Sequence, residues 1–284
     1  MTAPSNVAMN SRTRFLDRLP RAKLRAYWAF ATIAVRQRLG ERATLASRAA
    51  FLGLLVLIYD RLWRAVLPAG AAASTAAGPT EYVWYLAITE WITLAPPWLH
   101  LDIERDVRSG EVVCQLTRPL PYVGAKLAEA LGTLALNVLV LGVAAIGFAY
   151  VLSGGLPRDP RGLWLALPLG ALASVLAVLF RALIGLSAFW IVDSSPLNWV
   201  WQKAMFLLGG LFVPLDLYPD WLRALASATP FAAMLYEPGR CAFGFDPARA
   251  AHAFGVLLGW TAAALAAVAI VHRRALHALE VREG

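Results

Sequence analysis

Ala130-Leu-Gly-Thr-Leu-Ala-Leu-Asn-Val-Leu-Val-Leu-Gly-Val-Ala-Ala-Ile-Gly-Phe-Ala-Tyr-Val-Leu-Ser153 decides the fold: 24 residues pass without one charged side chain. The hydrocarbon core of a bilayer is about 30 Å thick and takes roughly 20 helical residues to cross. Two further runs share this property, Gly162 to Phe180 over 19 residues and Ala250 to His272 over 23. The chain therefore reads as an all-α integral membrane protein, because a spanning segment must satisfy its own backbone polar groups.

Composition agrees. The chain is 59% hydrophobic and 15% charged, against about 25% charged in soluble domains. No polar stretch is long enough for a second domain, so residues 1–284 read as one membrane domain. It divides into a cytoplasmic or interfacial segment (1–42), a six-span bundle (43–271) and a cytoplasmic tail (272–284). The net charge is +8, and ten of the 26 Lys and Arg precede Phe51. Basic residues beside a first span hold a cytoplasmic flank in place, so the charge points to membrane topology and not to nucleic acid. The first 45 residues contain no apolar signal-peptide core, and the N-terminus is expected to be retained.

The spans are predicted at about Thr44–Leu67, Glu81–Leu99, Tyr122–Leu152, Gly162–Val192, Pro196–Val213 and Ala250–Val271. Six spans put both termini on one side. The side that holds the termini carries 18 Lys and Arg and the other carries 7, with Arg181 inside a span. This bias places both termini in the cytoplasm. Cys114 and Cys241 then fall on opposite faces and read as unpaired thiols. Asp60 with Arg64, and Lys126 with Glu129, have helical pair spacing. Residues Pro20 to Arg38 read as a helix lying on the membrane surface. Arg21, Arg25 and Arg36 share one face, with Leu24, Tyr27, Trp28, Ala31 and Val35 on the opposite side. Ala69–Gly78 reads as a flexible loop outside the membrane.

Two segments stand out. Leu101 to Pro119 alternates acids and bases up to Gly110, and Glu111, Val112, Val113 and Leu116 then form a short amphipathic turn ended by Pro119 and Pro121. Held parallel to the membrane, it presents a charged surface to a soluble partner. Gly209 to Leu222, followed by Pro230-Phe231 and Pro238, is too apolar for a free loop and too rich in proline for a span. Short re-entrant helices fit it, with Pro219 and Asp220 starting one over Trp221–Ala226. Glu90 and Arg181 are intramembrane charges, which are costly and face partners or an aqueous path. They either pair with each other or line a substrate route.

Catalytic signatures are absent. His100, His252, His272 and His277 form no ligand-spaced cluster, and the chain contains no Gly-Lys dipeptide. Without G-x-x-x-x-G-K-[ST] the chain holds no ATP and Mg of its own. It is expected not to be an enzyme and to bind no cofactor or metal.

These features in this order resemble permease subunits of the ABC-2 type, the membrane half of bacterial ABC exporters. The likeness rests on six spans behind an interfacial helix and on Arg108-Ser-Gly110-Glu111 leading to Leu116-Thr-Arg118-Pro119. It also rests on Gly209–Leu222 with Pro214 and Pro219, on Pro230-Phe231 and Pro238, and on the ending His272-Arg-Arg-Ala-Leu276. The resemblance implies a multi-pass protein of the bacterial inner membrane that exports an amphiphilic or hydrophobic substrate such as a drug, antibiotic or lipid. It implies a separate ABC ATPase subunit, docked through the interfacial helix and a coupling surface of Asp102, Glu104, Arg105, Arg108, Gly110, Glu111 and Arg118. It further implies a second permease, identical or related, within membrane lipid, and a re-entrant segment marked by Pro214, Pro219, Trp221, Pro230 and Pro238 that closes the outer side. Two other readings compete: a proton-coupled secondary transporter with Glu90 as the carrier, and a membrane scaffold that transports nothing.

Overall fold

The structure, a computed structural model, describes the backbone of residues 6–66, 78–116, 120–191 and 193–283. The Ala-rich loop, apart from Gly78, and Arg118 with its neighbours Thr117 and Pro119 lie outside the described residues. The described residues form helices and no strand. Helix α1 (Asn6–Gly40) leads into α2 (Arg42–Val66), α3 (Pro79–Leu94), α4 (Leu99–Arg108) and α5 (Glu111–Leu116). Then come α6 (Tyr122–Ser153), α7 (Gly162–Leu186), α8 (Ser195–Leu208), α9 (Asp220–Ser227), α10 (Glu237–Arg240) and α11 (Pro247–Glu283).

Among the described residues, four helical stretches are long and apolar enough to cross a bilayer: Arg42–Val66, Tyr122–Ser153, Gly162–Phe189 and Pro247–Ala275. They fall on the first, third, fourth and sixth predicted spans. The second and fifth are shorter than the sequence suggests. Helix α3 has 16 residues and stops at Leu94, five before the expected Leu99. Pro96 and Pro97 supply no N–H to continue the ladder, although Ala95 before them still has helical dihedrals of −66° and −43°. Helix α8 has 14 residues and stops at Leu208 instead of Val213. There the chain turns through Gly210 with φ of 67°, a left-handed conformation that favours glycine.

Helix α3 occupies the centre. Every residue from Glu81 to Ile92 is buried, as expected for a helix apolar on all sides. It packs against α2, α6 and α7. Its two tryptophans donate to backbone carbonyls, Trp91 Nε1 to Val138 at 2.9 Å and Trp84 Nε1 to Gly155 at 3.1 Å. Helix α1 lies along α6 at near-backbone contact: a Cβ on Gly132 would stand 2.3 Å from the Ala31 carbonyl oxygen.

One expected detail of local structure changes. Arg25 and Arg36 do not oppose the apolar face of α1; they line the same groove as Leu24, Tyr27, Trp28, Ala31 and Val35. At about 100° per residue, Arg25 is next to the Leu24 and Trp28 stripe and not behind it. Lys126 Nζ reaches Asp106, 2.8 Å away on α4, across elements. Asp60 and Arg64 do pair, at 2.8 Å. Neither Cys114 nor Cys241 forms a disulfide.

Candidate functional site

Helix α4 begins where the proline pair has broken α3. Leu99, Ile103 and Asp106, spaced four and three apart, face inward with His100 and Glu104, while Arg105 and Arg108 face outward. Ile103 seats against α7 where Gly185 carries no side chain, since a Cβ there would lie 2.9 Å from the Ile103 Cβ. Helix α4 ends in a glycine cap. Gly110 has φ of 73°, and its N–H reaches the Val107 carbonyl at 3.3 Å. That turn sends the chain into α5, where Glu111 is exposed and accepts from Gln115 Nε2 at 3.0 Å.

The seven residues of the expected coupling surface therefore divide. Arg105, Arg108, Gly110 and Glu111 are exposed and Asp102 is half-buried. Asp102 pairs with Arg105 at 3.4 Å. Its carboxyl is raised above the usual range by burial, an effect the Arg105 charge opposes. Glu104 is buried and points into the protein, and Arg118 lies outside the described residues.

The inward acids of α4 bind other helices. Glu104 Oε2 accepts from the Ser194 N–H at 3.0 Å and from its hydroxyl at 2.5 Å, immediately before α8, while Arg108 pairs with Oε1 at 3.2 Å. Asp106 Oδ2 accepts from Tyr122 Oη at 2.8 Å and pairs with Lys126, both in the first turns of α6. One short helix thereby holds the starts of two longer ones by charge-assisted hydrogen bonds.

Behind α4, the break after α3 leaves carbonyls that the helix cannot pair. Side chains from three other helices reach them. Leu94 O accepts from Arg48 Nη1 of α2 at 3.0 Å, and Ala95 O from Asn137 Nδ2 of α6 at 2.8 Å. Arg181 Nη1 of α7 donates to Pro96 O at 2.6 Å and to Pro97 O at 2.8 Å, with its guanidinium 5.1 Å from the Trp98 ring centre. Arg38 of α1 joins through Asn137 Oδ1 at 3.2 Å. Cations placed at a helix C-terminus also suit its dipole. His100 lies beside this joint; burial first, then the Arg181 charge, lower its pKa to about 4.

Arg181 thus pairs with backbone carbonyls and not with Glu90; among the described residues no ion pair joins the two. Glu90 is buried one turn inside α3, with Thr93 Oγ1 donating to its Oε2 at 3.2 Å. Sequence reasoning missed Arg48, Asn137 and Ser194. Asn137, a lone amide in the charge-free run, was the available signal. The roles of Arg48 and Ser194 depend on where α3 and α8 stop.

The far end of α3 holds the proline-marked segment. Tyr85 donates to the Gly210 carbonyl and Thr89 Oγ1 to Leu211 O at 3.3 Å. Gly239 lets the stretch through Pro238 press on the Tyr85 ring, 2.7 Å from where its Cβ would be. Pro214 begins a single 3₁₀ turn and Pro219 precedes α9, on which Trp221 is exposed. Pro230 is buried just before a π turn, Ala232–Tyr236. Asp216 accepts from Tyr236 Oη at 2.7 Å and from Arg240 at 2.5 Å, and Glu237 takes both Arg249 nitrogens at 2.8 and 2.9 Å. Helix α3 therefore connects the carbonyl joint and α4 at one end with the folded proline segment at the other.

A family model described as ABC-2 family transporter protein matches residues 84–282, from within α3 through α11. No curated protein matches the chain.

Proposed function

The chain belongs to the ABC-2 transporter family, and from this membership we propose that it is the permease subunit of an ATP-driven exporter whose motor is a separate ABC ATPase. It is a multi-pass membrane protein, placed in the bacterial inner membrane with both termini in the cytoplasm. The six spans are α2, α3, α6, α7, α8 and α11, with residues 209–243 re-entrant from the outer side. The substrate is an amphiphilic or hydrophobic molecule moved out of the cytoplasm. The chain itself catalyses nothing and holds no cofactor; ATP and Mg belong to the partner.

The observation that carries this reading is the clamp on α4. A docking helix transmits force only if it is fastened to what must move. Glu104 fastens α4 to the start of α8, Asp106 fastens it to α6, and the carbonyl joint fastens it to α2, α6 and α7. Its outer face keeps Arg105 and Arg108 exposed for the ATPase, and α5 adds the exposed Glu111. ATP binding closes the motor and displaces α4. The spans follow as a rigid body, and α3 carries the displacement to the proline segment that closes the outer side. A second permease completes the pathway. Helix α8, which has Leu197, Trp199, Val200 and Leu207 exposed, offers a face for it.

The test is charge reversal at the exposed face. In proteoliposomes holding permease and ATPase, Arg105→Glu and Glu111→Lys are each expected to lower ATP-dependent export about tenfold or more, with membrane insertion unchanged. Export at the level of the unsubstituted complex would remove α4 and α5 as the docking surface.

A further inference from the structure

Five acidic side chains are buried among the described residues: Asp60, Glu81, Glu90, Glu104 and Asp106. All but one are compensated within the chain. Asp60, Glu104 and Asp106 pair with Arg64, Arg108 and Lys126, and Glu81 accepts the Gly78 N–H at 2.9 Å where α3 begins. Glu90 differs. It is 4% exposed, and its hydrogen bond among the described residues comes from the Thr93 hydroxyl at 3.2 Å. The single proton of that hydroxyl is shared with the nearer Glu90 carbonyl at 2.9 Å. A carboxylate within a span is costly unless a cation or several donors offset its desolvation. Aromatic rings stand beside it. Tyr59 of α2 is within electrostatic range of Glu90. Its ring stacks on Phe212 with centres 5.3 Å apart, and Phe212 meets Phe206 of α8 at 5.6 Å. All three rings are half-buried, as is Thr93. Lys203 and Leu207, beside Phe206 on α8, are exposed, so the ring cluster reaches the surface of the chain there.

We propose that Glu90, approached past the rings of Tyr59, Phe212 and Phe206, receives the positive group of the cargo, which makes that cargo an amphiphilic cation. The inference rests on the transporter reading and narrows its substrate class. A carboxylate removed from water attracts a cation far more strongly than an exposed one does, and aromatic faces attract an ammonium-like group and not an anion. The rings already hold a cation at their surface end: Lys203 Nζ lies 5.6 Å from the Phe206 ring centre and 5.2 Å from that of Trp199. No ion pair joins Lys203 to Glu90 among the described residues, so the acid itself is left for a visitor. A bare metal ion does not suit the place. Such ions take several oxygen ligands, and no group of three His, Cys, Asp or Glu gathers among the described residues. A cation that carries its own apolar bulk needs one carboxylate and the rings.

Equilibrium dialysis of the full-length chain in phosphatidylcholine nanodiscs tests this, with the uptake of empty discs subtracted. No ATPase is present, so a failure here leaves the coupling reading and its Arg105→Glu test untouched. The probe is tetraphenylphosphonium, an apolar cation, and neutral triphenylphosphine oxide is the comparison. The chain is expected to bind the cation saturably, about tenfold more tightly than the neutral compound or better. Glu90→Gln should remove that preference and leave the weaker binding of the neutral compound as it was. Tyr59→Leu is expected to weaken the cation about threefold, whereas Tyr59→Phe, which keeps the ring, should retain it. Circular dichroism and gel filtration confirm that each variant is folded. Where Glu90→Gln does not fold, the preference of the unsubstituted chain and the two Tyr59 variants decide. Equal affinity for the two compounds, a preference that survives Glu90→Gln, or equally tight binding of the anion tetraphenylborate would each overturn the proposal.

Discussion

Arg181 shows how an intramembrane charge can be structural. A guanidinium in apolar surroundings is costly unless its donors are used, and here one nitrogen serves the Pro96 and Pro97 carbonyls. Those carbonyls need partners because α3 has ended before them, so no following amide continues its ladder onto Pro96 O. Replacing Arg181 by alanine leaves the buried Pro96 carbonyl unpaired, at about 1–3 kcal/mol, while Pro97 O keeps the Leu99 N–H at 2.9 Å. Arg181→Ala is expected to destabilise the detergent-solubilised protein by roughly 1–3 kcal/mol in thermal or denaturant unfolding. A variant as stable as the parent would mean that water or lipid serves these carbonyls as well. The presence of Arg181 and Glu90 was legible in the sequence, but their partners were not. An arginine bound to main-chain oxygens has no complementary acid in the sequence to mark it.

At the scale of elements, what the sequence made legible followed the range of the forces involved. The charge-free runs located α6, α7 and α11 because span length is set by the bilayer. The ends of α3 and α8 were overshot. Hydrophobicity continues past Leu94 and Leu208, while the ladder stops at Pro96-Pro97 and at Gly209-Gly210. The exposure of this surface was half legible: Arg105 on α4 and Glu111 on α5 are exposed as charge-rich loops suggest, Asp102 is half-buried, and Glu104 turns inward to Ser194. A helix of ten residues can place one acid outward and another inward two positions apart. The packing of α1 on α6 depends on Gly132, where the two backbones touch. Gly132→Leu is expected to prise α1 from α6, at a cost of about 1–3 kcal/mol for an overpacked contact. Amide hydrogen exchange should then rise in α1 around Ala31 and stay unchanged in α3. Unchanged protection in α1 would show that the two helices are not held by that crossing.

For the whole molecule, the central claim is that α4 and the proline segment, fastened to opposite ends of α3, respond to one nucleotide signal. Pulsed electron paramagnetic resonance on the reconstituted permease–ATPase complex measures this directly. Where the proposed second permease is another copy of this chain, one spin label per chain at Trp221→Cys, in a Cys114→Ser background, reports the separation of the two α9 helices. Trapping the ATPase with nucleotide is expected to shift that distance, and Arg105→Glu is expected to abolish the shift while the ATPase still binds nucleotide. A distance that stays fixed on trapping, or a shift that survives Arg105→Glu, would contradict the account.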